Sequence, residues 1–280
     1  MKDKTSPKDG VAEEVIYYYE RGKEAGRLLE SYGRLEFSRT WDILLRYLKP
    51  PPATILDVGG GSGIYACPLA VEGYGVHLLD PVPLHVRLAI QNSLSQPEHQ
   101  LASAKIGDAR DLDHADCTMD AVLLFGPLYH LTEVEDRLMA LQEAERVLRS
   151  GGMLFAAGIS RFASTLQGFA RGYIDDPEFA ALAERDLEEG QHRNPSAKPG
   201  YFTTAYFHHP DDLVDEVRNS GFSLEALLAV EGPFWMLQDI EDQWADEAKR
   251  QRLLDILKRI EGERSLLGAS AHIMAIGRKS

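Results

Sequence analysis

The stretch "ILDVGGGSGIYA", residues 55–66, decides how this chain is read. A short apolar run ends in Asp57, and glycines then occupy positions 59, 60, 61 and 63. That pattern predicts a buried strand followed by a tight turn whose backbone N–H groups can approach a ligand with little side chain in the way. Three nucleotide loops compete for it. A P-loop closes on Gly-Lys-Ser/Thr, but this loop closes on "SGIYA" and has no lysine. The dinucleotide fingerprint GxGxxG fails when counted from Gly59, where Ile64 takes the third place, and from Gly60, where Ser62 takes the second. Counted from Gly61, Gly63 and Ala66 meet its alanine variant, so a dinucleotide stays open. The most direct pattern is Asp57 followed by Gly59, Gly61 and Gly63.

Upstream, residues 11–48 read as helical until Pro50, Pro51 and Pro52 break the chain. Downstream, helical pattern resumes over 64–72, "GVHLLD" (75–80) reads as a second strand, 83–95 as a helix, and "AKIGD" (104–108) as a third strand. "MDAVLLFG" (119–126) is almost continuously apolar, as a strand covered on both faces should be. A helix follows, with Thr132 and Glu135 as a capping box, Val134, Leu138, Leu141 and Leu148 as its apolar stripe and Gly151 at its C′ position. "GMLFAAGI" (152–159) is a further strand. Strands alternating with helices predict a parallel sheet with helices on both faces.

Residues 160–207 break that rhythm and are too long for an ordinary connection. They read as two helices split near Asp176-Pro177 and a Pro/Gly loop, together an inserted lid. Pro210 suits the start of the next helix and Gly221 its end; "SLEALLAVEG" then reads as a strand, 238–263 as one long helix and "AHIMAIGRK" as the last strand. The expected organisation is a helical cap over 1–52, a Rossmann-like core over 53–159, the lid over 160–207 and the remainder of the core sheet over 208–280.

Composition narrows the partners. The formal net charge is -14, and basic residues are interleaved with acids, which argues against gripping nucleic acid. The two cysteines, Cys67 and Cys117, form no CxxC and suggest neither a disulfide framework nor a zinc cluster. The polar start "MKDKTSPKDG" has no apolar core of a signal segment, no apolar run is long enough to span a bilayer, and a cytoplasmic, membrane-free protein is expected.

Three acids, Asp57, Asp80 and Asp108, end successive strands on the carboxyl edge of the sheet, where open α/β sheets bind ligands. A carboxylate at Asp80 can accept both hydroxyls of a ribose, and Asp108 can accept from an adenine amino group. At this point "ILDVGGGSG", "VHLLD", "IGDARDL", "DAVLLFGPLYHL" and "EAERVLRSGGMLF" together resemble the successive motifs of class I S-adenosylmethionine-dependent methyltransferases. The likeness is close over 53–159 and looser on the flanks. It implies a Rossmann-like α/β fold with a seven-stranded, mostly parallel sheet whose last strand is antiparallel, and S-adenosyl-L-methionine as cofactor.

The resemblance also implies site residues. Gly59, Gly61 and Gly63 would wrap the methionine part of the cofactor, with Asp57 ordering the loop or meeting the amine through water. Asp80 would hold the ribose, and Pro81 and Val82 would follow it onto the adenine face. Gly107, Asp108 and Ala109 would meet the adenine edge, and Phe125 and Gly126 would offer backbone groups to the amine. In the N-terminal segment "VIYYYERGKEAGRL", Tyr18 or Tyr19 is a candidate contact for cofactor or acceptor, and Arg39 a candidate partner of the methionine carboxylate. The family's amide- and base-methylating members carry an Asn/Asp-Pro-Pro-aromatic motif where this chain has "FGPL", which argues against those substrates.

A general base is needed only where the acceptor must lose a proton. His130, in "GPLYHL", is the first candidate and His208, in "AYFHHPDD", the second. Tyr19, Tyr129, Tyr173, Tyr201 and Trp235 are candidates for binding a planar or apolar small molecule, within a wider aromatic supply of Phe162, Phe169, Phe202, Tyr206 and Phe234. The expected function is methyl transfer to a small-molecule acceptor, such as a specialised metabolite. The alternatives are a non-methylating use of the same cofactor (aminocarboxypropyl transfer or cyclisation), a nicotinamide oxidoreductase, and a binding module without turnover. The aromatic N-terminal helix and the lid are compatible with a homodimer.

Overall fold

The computed structural model describes residues 13–21, 26–198 and 200–280. The apolar run ahead of the glycines forms β1 (Thr54–Val58). It is central to a parallel set completed by β2 (Gly75–Asp80), β3 (Ser103–Ile106), β4 (Met119–Leu124) and β5 (Leu148–Ser160), in spatial order β3-β2-β1-β4-β5. A short hairpin of β6 (Gln191–His192) and β7 (Ala205–His208) adds to this sheet, β7 running parallel to the end of β5 at Ile159 and Ser160. The sheet closes with β8 (Phe222–Ala229) and β9 (His272–Lys279); β9 lies antiparallel between β5 and β8. The expected seven strands are therefore present with an antiparallel last strand, and the hairpin raises the sheet to nine.

Alternation along β1 and β4 decides the layers. Ile55, Ala121 and Leu123 face a core shared with Ile43, Leu44, Leu69 and Ala89, whereas Leu56, Val58, Val122 and Leu124 face one shared with Ala140, Leu141, Ala144, Leu213 and Val217. The first face is covered by α2 (Ser31–Tyr47), α3 (Ala66–Val71) and α4 (Pro83–Leu94), behind the short α1 (Glu13–Glu20). The second is covered by α6 (Val134–Val147) and α9 (Pro210–Asn219), with α5 (Pro127–His130) leading into α6. Each fully buried Leu or Ile contributes about 1.5–3 kcal/mol of transfer free energy, so a two-faced core fixes this sheet far more strongly than any single loop contact.

Several local expectations are corrected. Thr132 does not cap α6: the N-cap is Glu133, with no side-chain bond to the helix, and the Thr132 hydroxyl reaches Glu133 instead. Val134 is 42% exposed, and the buried face is Arg137, Ala140, Leu141, Ala144 and Val147. Gly151 is not a C′ residue, because the chain turns extended at Leu148 and Gly151 already lies within β5 with φ +76. The long C-terminal helix is two, α10 (Ile240–Ala245) and α11 (Glu247–Ile260): Asp246 turns extended and its carboxylate accepts from Lys249 N at 3.0 Å, starting a new helix. A short α12 (Arg264–Leu267) precedes β9. The inserted segment holds α7 (Ala163–Arg171) and α8 (Pro177–Glu189), the latter capped by Asp176 ahead of Pro177, and also the unanticipated β6–β7 hairpin. Of the N-terminal segment read as helical, residues 11–12 and 22–25 lie outside the described residues; the rest forms α1, a 3-10 turn at Arg27–Leu29, and α2.

Candidate active site

A cavity opens along the carboxyl edge of the strands, with about 1380 Å³ of empty space including its open mouth. Its walls follow the sheet order: Asp108 and Ala109 after β3, Asp80 to Val82 after β2, Asp57 to Ser62 after β1, Phe125 to Leu131 after β4, Ala157 on β5, and His272 and Met274 on β9. α1 contributes Val15 and Tyr19 to the cover, and the next turn and helix add Arg27, Leu28, Glu36 and Thr40.

The glycines are placed for distinct reasons. Gly59 has φ +72 and packs so closely on Pro127 that a Cβ would come within 2.7 Å of that ring. A Cβ on Gly60 would meet the Asp57 carboxylate at 2.7 Å and Leu78 at 2.8 Å. Gly61 has φ +57 and nothing within 4 Å of its absent Cβ, so bare backbone faces open space. Gly63 (φ +82) presses on Cys67 and Ala89 and lets α4 approach the loop.

Asp80 is 3% exposed. Its Oδ2 accepts from Gly61 N at 2.9 Å, and its Oδ1 accepts from Val82 N at 2.9 Å and from His85 Nδ1 at 3.1 Å. The acid thereby ties the glycine loop to the end of β2 while still lining the cavity. Asp57 is 1% exposed, and its Oδ2 is buried without a hydrogen-bond partner. Burial, and secondly the charge of Asp80, push its carboxyl up to about 7. A bare backbone cradle at Gly61, a carboxylate at the ribose position and a buried unpartnered carboxyl oxygen behind the loop together fit a ligand carrying hydroxyls and an ammonium group.

Asp108 lines the far end, but its carboxylate is shared with Arg110, which donates from N, Nε and Nη2 at 2.9, 3.0 and 2.7 Å. Gly107 lies outside the cavity lining; it is required because a Cβ there would come within 2.5 Å of Leu79.

His130 sits in the wall next to Tyr19 and Tyr129. Its Nδ1 is 3.2 Å from the Thr204 carbonyl, which can only accept, so Nδ1 carries the proton. Nε2 therefore accepts from the Tyr19 hydroxyl at 2.8 Å. Burial pushes the imidazole down to about 4, against the Thr204 carbonyl and the Asp80 charge, which pull it up. The edge-on ring of Tyr19 also meets His85 at 5.2 Å.

Other expected site residues lie elsewhere. Tyr18 turns away from the cavity and packs edge-on against Tyr19 and Phe202. Arg39 is 1% exposed and structural: it donates to the Val230 carbonyl, to Asp42 and to Glu261, so no methionine carboxylate can reach it. His208 is fully buried, packed over Gly158, with Nε2 3.3 Å from Glu216 in an ion-pair cluster with Arg137. Tyr173 and Tyr201 pack against Phe179 inside the inserted segment, and the Tyr201 hydroxyl donates to Asp176 at 2.7 Å. Trp235 is buried and donates from Nε1 to the Ala269 carbonyl at 2.9 Å. Of the five aromatic candidates for the acceptor, Tyr19 and Tyr129 reach the cavity.

The sequence reading missed the opposite end. There Arg27, Glu36, Thr40, Tyr65 and His272 line the cavity, and Tyr65 stacks on Phe37 and stands edge-on to Phe125.

Residues 56–156 match the family described as "Methyltransferase domain". A ubiquinone biosynthesis O-methyltransferase of Methylocella silvestris is 31% identical over 116 residues, 41% of this chain and 42% of that protein. The chain spans less than two thirds of the length of the curated relatives that it matches. Among solved structures, a SAM-dependent methyltransferase of Methanosarcina mazei superposes with a TM-score of 0.57 at 20% identity, covering 85% of this chain and 96% of that one. The [4+2]-cyclase SpnF superposes with a TM-score of 0.54 at 15% identity over 86% and 80%; both likenesses concern the fold. The chain carries a class I S-adenosylmethionine-dependent methyltransferase domain over the core strands, and the cofactor of that class is S-adenosylmethionine.

Proposed function

We propose that this protein transfers a methyl group from S-adenosylmethionine to an oxygen of a small-molecule acceptor enclosed in the cavity. One observation carries the reading: a single cavity runs unbroken from Asp108 and Asp80, past the bare backbone of Gly61, to an aromatic and charged pocket at Tyr65 and His272. The cofactor, when bound, supplies an electrophilic methyl on a sulfonium. The residues proposed to hold it are Asp80 for the ribose, Val82 and Ala109 for the adenine, Gly59, Gly61 and Gly63 with Gly126 for the methionine arm, and Asp57 for its ammonium. Arg27, which lines the cavity where Arg39 does not, is the proposed partner of the carboxylate. Held so, the cofactor would present its methyl to the part of the cavity lined by Ala157, His272 and Met274. Much of the rate then comes from enclosure and alignment of acceptor and sulfonium.

The preference for oxygen is supported by the O-methyltransferase relatives. The covered cavity favours a small molecule over a polymer. No described helix is long and apolar enough to cross a membrane. A cytoplasmic setting, the four-part organisation and a homodimer remain part of the proposal.

The test is incubation of the purified protein with S-adenosylmethionine and an extract of small molecules, followed by mass spectrometry. S-adenosylhomocysteine formed only with extract, and one component heavier by a methylene, is the expected result. Methylthioadenosine in its place would overturn methyl transfer in favour of aminocarboxypropyl chemistry.

A further inference from the structure

The end of the cavity beyond the glycine loop carries a histidine, His272, to which the cofactor reading assigns no role. Glu36 and His272 line it, and Glu231, 2% exposed, stands behind His272. His272 Nδ1 is 2.6 Å from Glu231 Oε1 and 3.8 Å from Glu36 Oε2. Glu231 is fixed in turn: its Oε2 accepts from the Ser270 hydroxyl and from His272 N, each at 3.0 Å. Glu36 accepts two N–H groups of Arg27 at 2.5 and 3.0 Å. With Nδ1 given to Glu231, Nε2 is the ring nitrogen left for a ligand.

The groups facing His272 are Glu231 after β8, Glu36 on α2 and, behind Glu36, Arg27; Tyr65 adds a phenol that burial holds protonated. Burial alone would lower the His272 pKa, but the charges of Glu36 and Glu231 outweigh it and raise it to about 9. The Nε2–H at neutral pH is therefore that of an imidazolium, in a cavity that Phe125, Val230, Met274 and Ala157 also line. A charged N–H donor at that end of the cavity is suited to hold an oxygen.

We propose that His272 binds the acceptor, and that the acceptor is an acidic hydroxyl of the phenol or enol class, taken as its oxyanion against Nε2–H. This rests on the methyltransferase reading above and assigns the substrate class within it. The hydroxyl proton leaves to solvent on binding. The oxyanion's lone pair then forms the O–CH3 bond while the S–CH3 bond breaks, and that electron pair stays on sulfur as a neutral thioether. No base acts in the transfer, so His130 is left to hold Tyr19. The ligand atoms of Glu36, Glu231 and His272 lie within 4.8 Å of one another, a spacing that also suits a divalent cation. However, Glu36 already carries Arg27 on both oxygens, and His272 would have to shed a proton to bind metal.

The experiment titrates 4-nitrophenol and 4-nitrocatechol into protein saturated with S-adenosylhomocysteine, at a pH below the ionisation of the free dyes, with visible absorbance reading the bound anion. Wild type is expected to raise the anion fraction roughly tenfold over free dye, the size of one charge-assisted hydrogen bond. His272→Gln keeps a donor toward Glu231 but no charge, and is expected to remove the rise while the protein still binds S-adenosylhomocysteine. Against a folding failure of that variant, wild type alone should lose affinity for the dye anion as pH rises through about 9. Dyes that stay unbound or bind neutral, a rise that survives His272→Gln, or a rise abolished by a chelator and restored by magnesium or zinc would each overturn the proposal. Failure to bind S-adenosylhomocysteine is read separately: it removes the methyltransferase reading, and this inference with it.

Discussion

The Tyr19 hydroxyl donates to His130 Nε2 at 2.8 Å, while His130 Nδ1 donates to the Thr204 carbonyl at 3.2 Å. One imidazole thus joins three segments distant in sequence: α1, α5 and the residue that leads into β7. The Thr204 hydroxyl ties back to Glu14 on α1 as well. The cover of the cavity is held by this relay, in which each hydrogen bond fixes the direction of the next.

The relay predicts a particular pH dependence. The folded pKa of His130, about 4, lies below its ordinary value of 6.5. As pH falls, the unfolded chain binds the proton first, so stability present above about 6.5 is lost as pH falls toward 4. The full loss is on the order of 3 kcal/mol. Thermal melts of wild type and His130→Gln between pH 7 and 4 should therefore converge on the acid side. Parallel curves would show that His130 titrates normally and is not buried in the folded protein.

The glycine loop predicts a separation of binding from stability. At Gly61 an added methyl meets no protein atom, and only φ +57 opposes it. Gly61→Ala should cost about 1 kcal/mol of stability but place its methyl where the cofactor runs, raising the dissociation constant of S-adenosylhomocysteine roughly tenfold or more. At Gly60 the methyl meets Asp57 and Leu78 instead, so Gly60→Ala should lower stability by about 1–3 kcal/mol. Calorimetric titration beside thermal melts distinguishes the two, and equal effects on both quantities would contradict the placement of Gly61.

Arg39 predicts the reverse pattern. It is buried against Glu261, Asp42 and the Val230 carbonyl, and is absent from the cavity. Arg39→Met leaves Glu261 without one of its two arginines, since Arg46 stays bonded at 2.6 and 2.8 Å. Breaking such a buried pair costs about 3 kcal/mol or more, which for a domain of this size lowers Tm by roughly 6 °C or more. The folded fraction should bind S-adenosylhomocysteine as wild type does. An unchanged Tm with lost binding would return Arg39 to the cofactor site.

Arg39 also shows where sequence reading stops. The strand–glycine–acid pattern was legible because much of it is local: a turn with positive φ at 59, 61 and 63 tolerates little else, and Asp80 ends β2 directly after Leu79, the register partner of Val58. The side on which a helical arginine pairs is set by elements far along the chain, here Glu261 after α11, and no local spacing encodes it. His208 misled in the same way, since a histidine ahead of a helix looks alike whether it faces solvent, a cavity or a buried Glu216. Glu36 and His272 were missed because they meet only once β9 lies antiparallel to β5, with His272 opposite Ile159. The available signal was a histidine opening the closing strand, on the same edge as the acids. The aromatic candidates split for a similar reason: Tyr173 and Tyr201 satisfy each other and Phe179 within the insertion, leaving Tyr19 and Tyr129 to the cavity.

Asp57 couples the cofactor to a proton. Its carboxyl is raised to about 7, above its ordinary 3.8, first by burial and then by Asp80. For folding, a raised acid contributes stability that is present below pH 3.8 and lost as pH rises through about 7, so Asp57→Asn should be relatively more stable above pH 7 than below pH 4. For binding, the sign is opposite. An ammonium group near the loop favours the ionised carboxylate, whose Oδ2 has no other hydrogen-bond partner. Binding of S-adenosylhomocysteine at pH 6 should therefore expel a proton from Asp57, and affinity should weaken as pH falls from 8 toward 6. Calorimetry in two buffers of different ionisation enthalpy counts that proton directly. In Asp57→Asn the proton release and the slope should both vanish while the affinity at pH 8 drops. A proton count of zero in wild type would place the ammonium away from Asp57 and break the proposed orientation of the cofactor along the sheet edge.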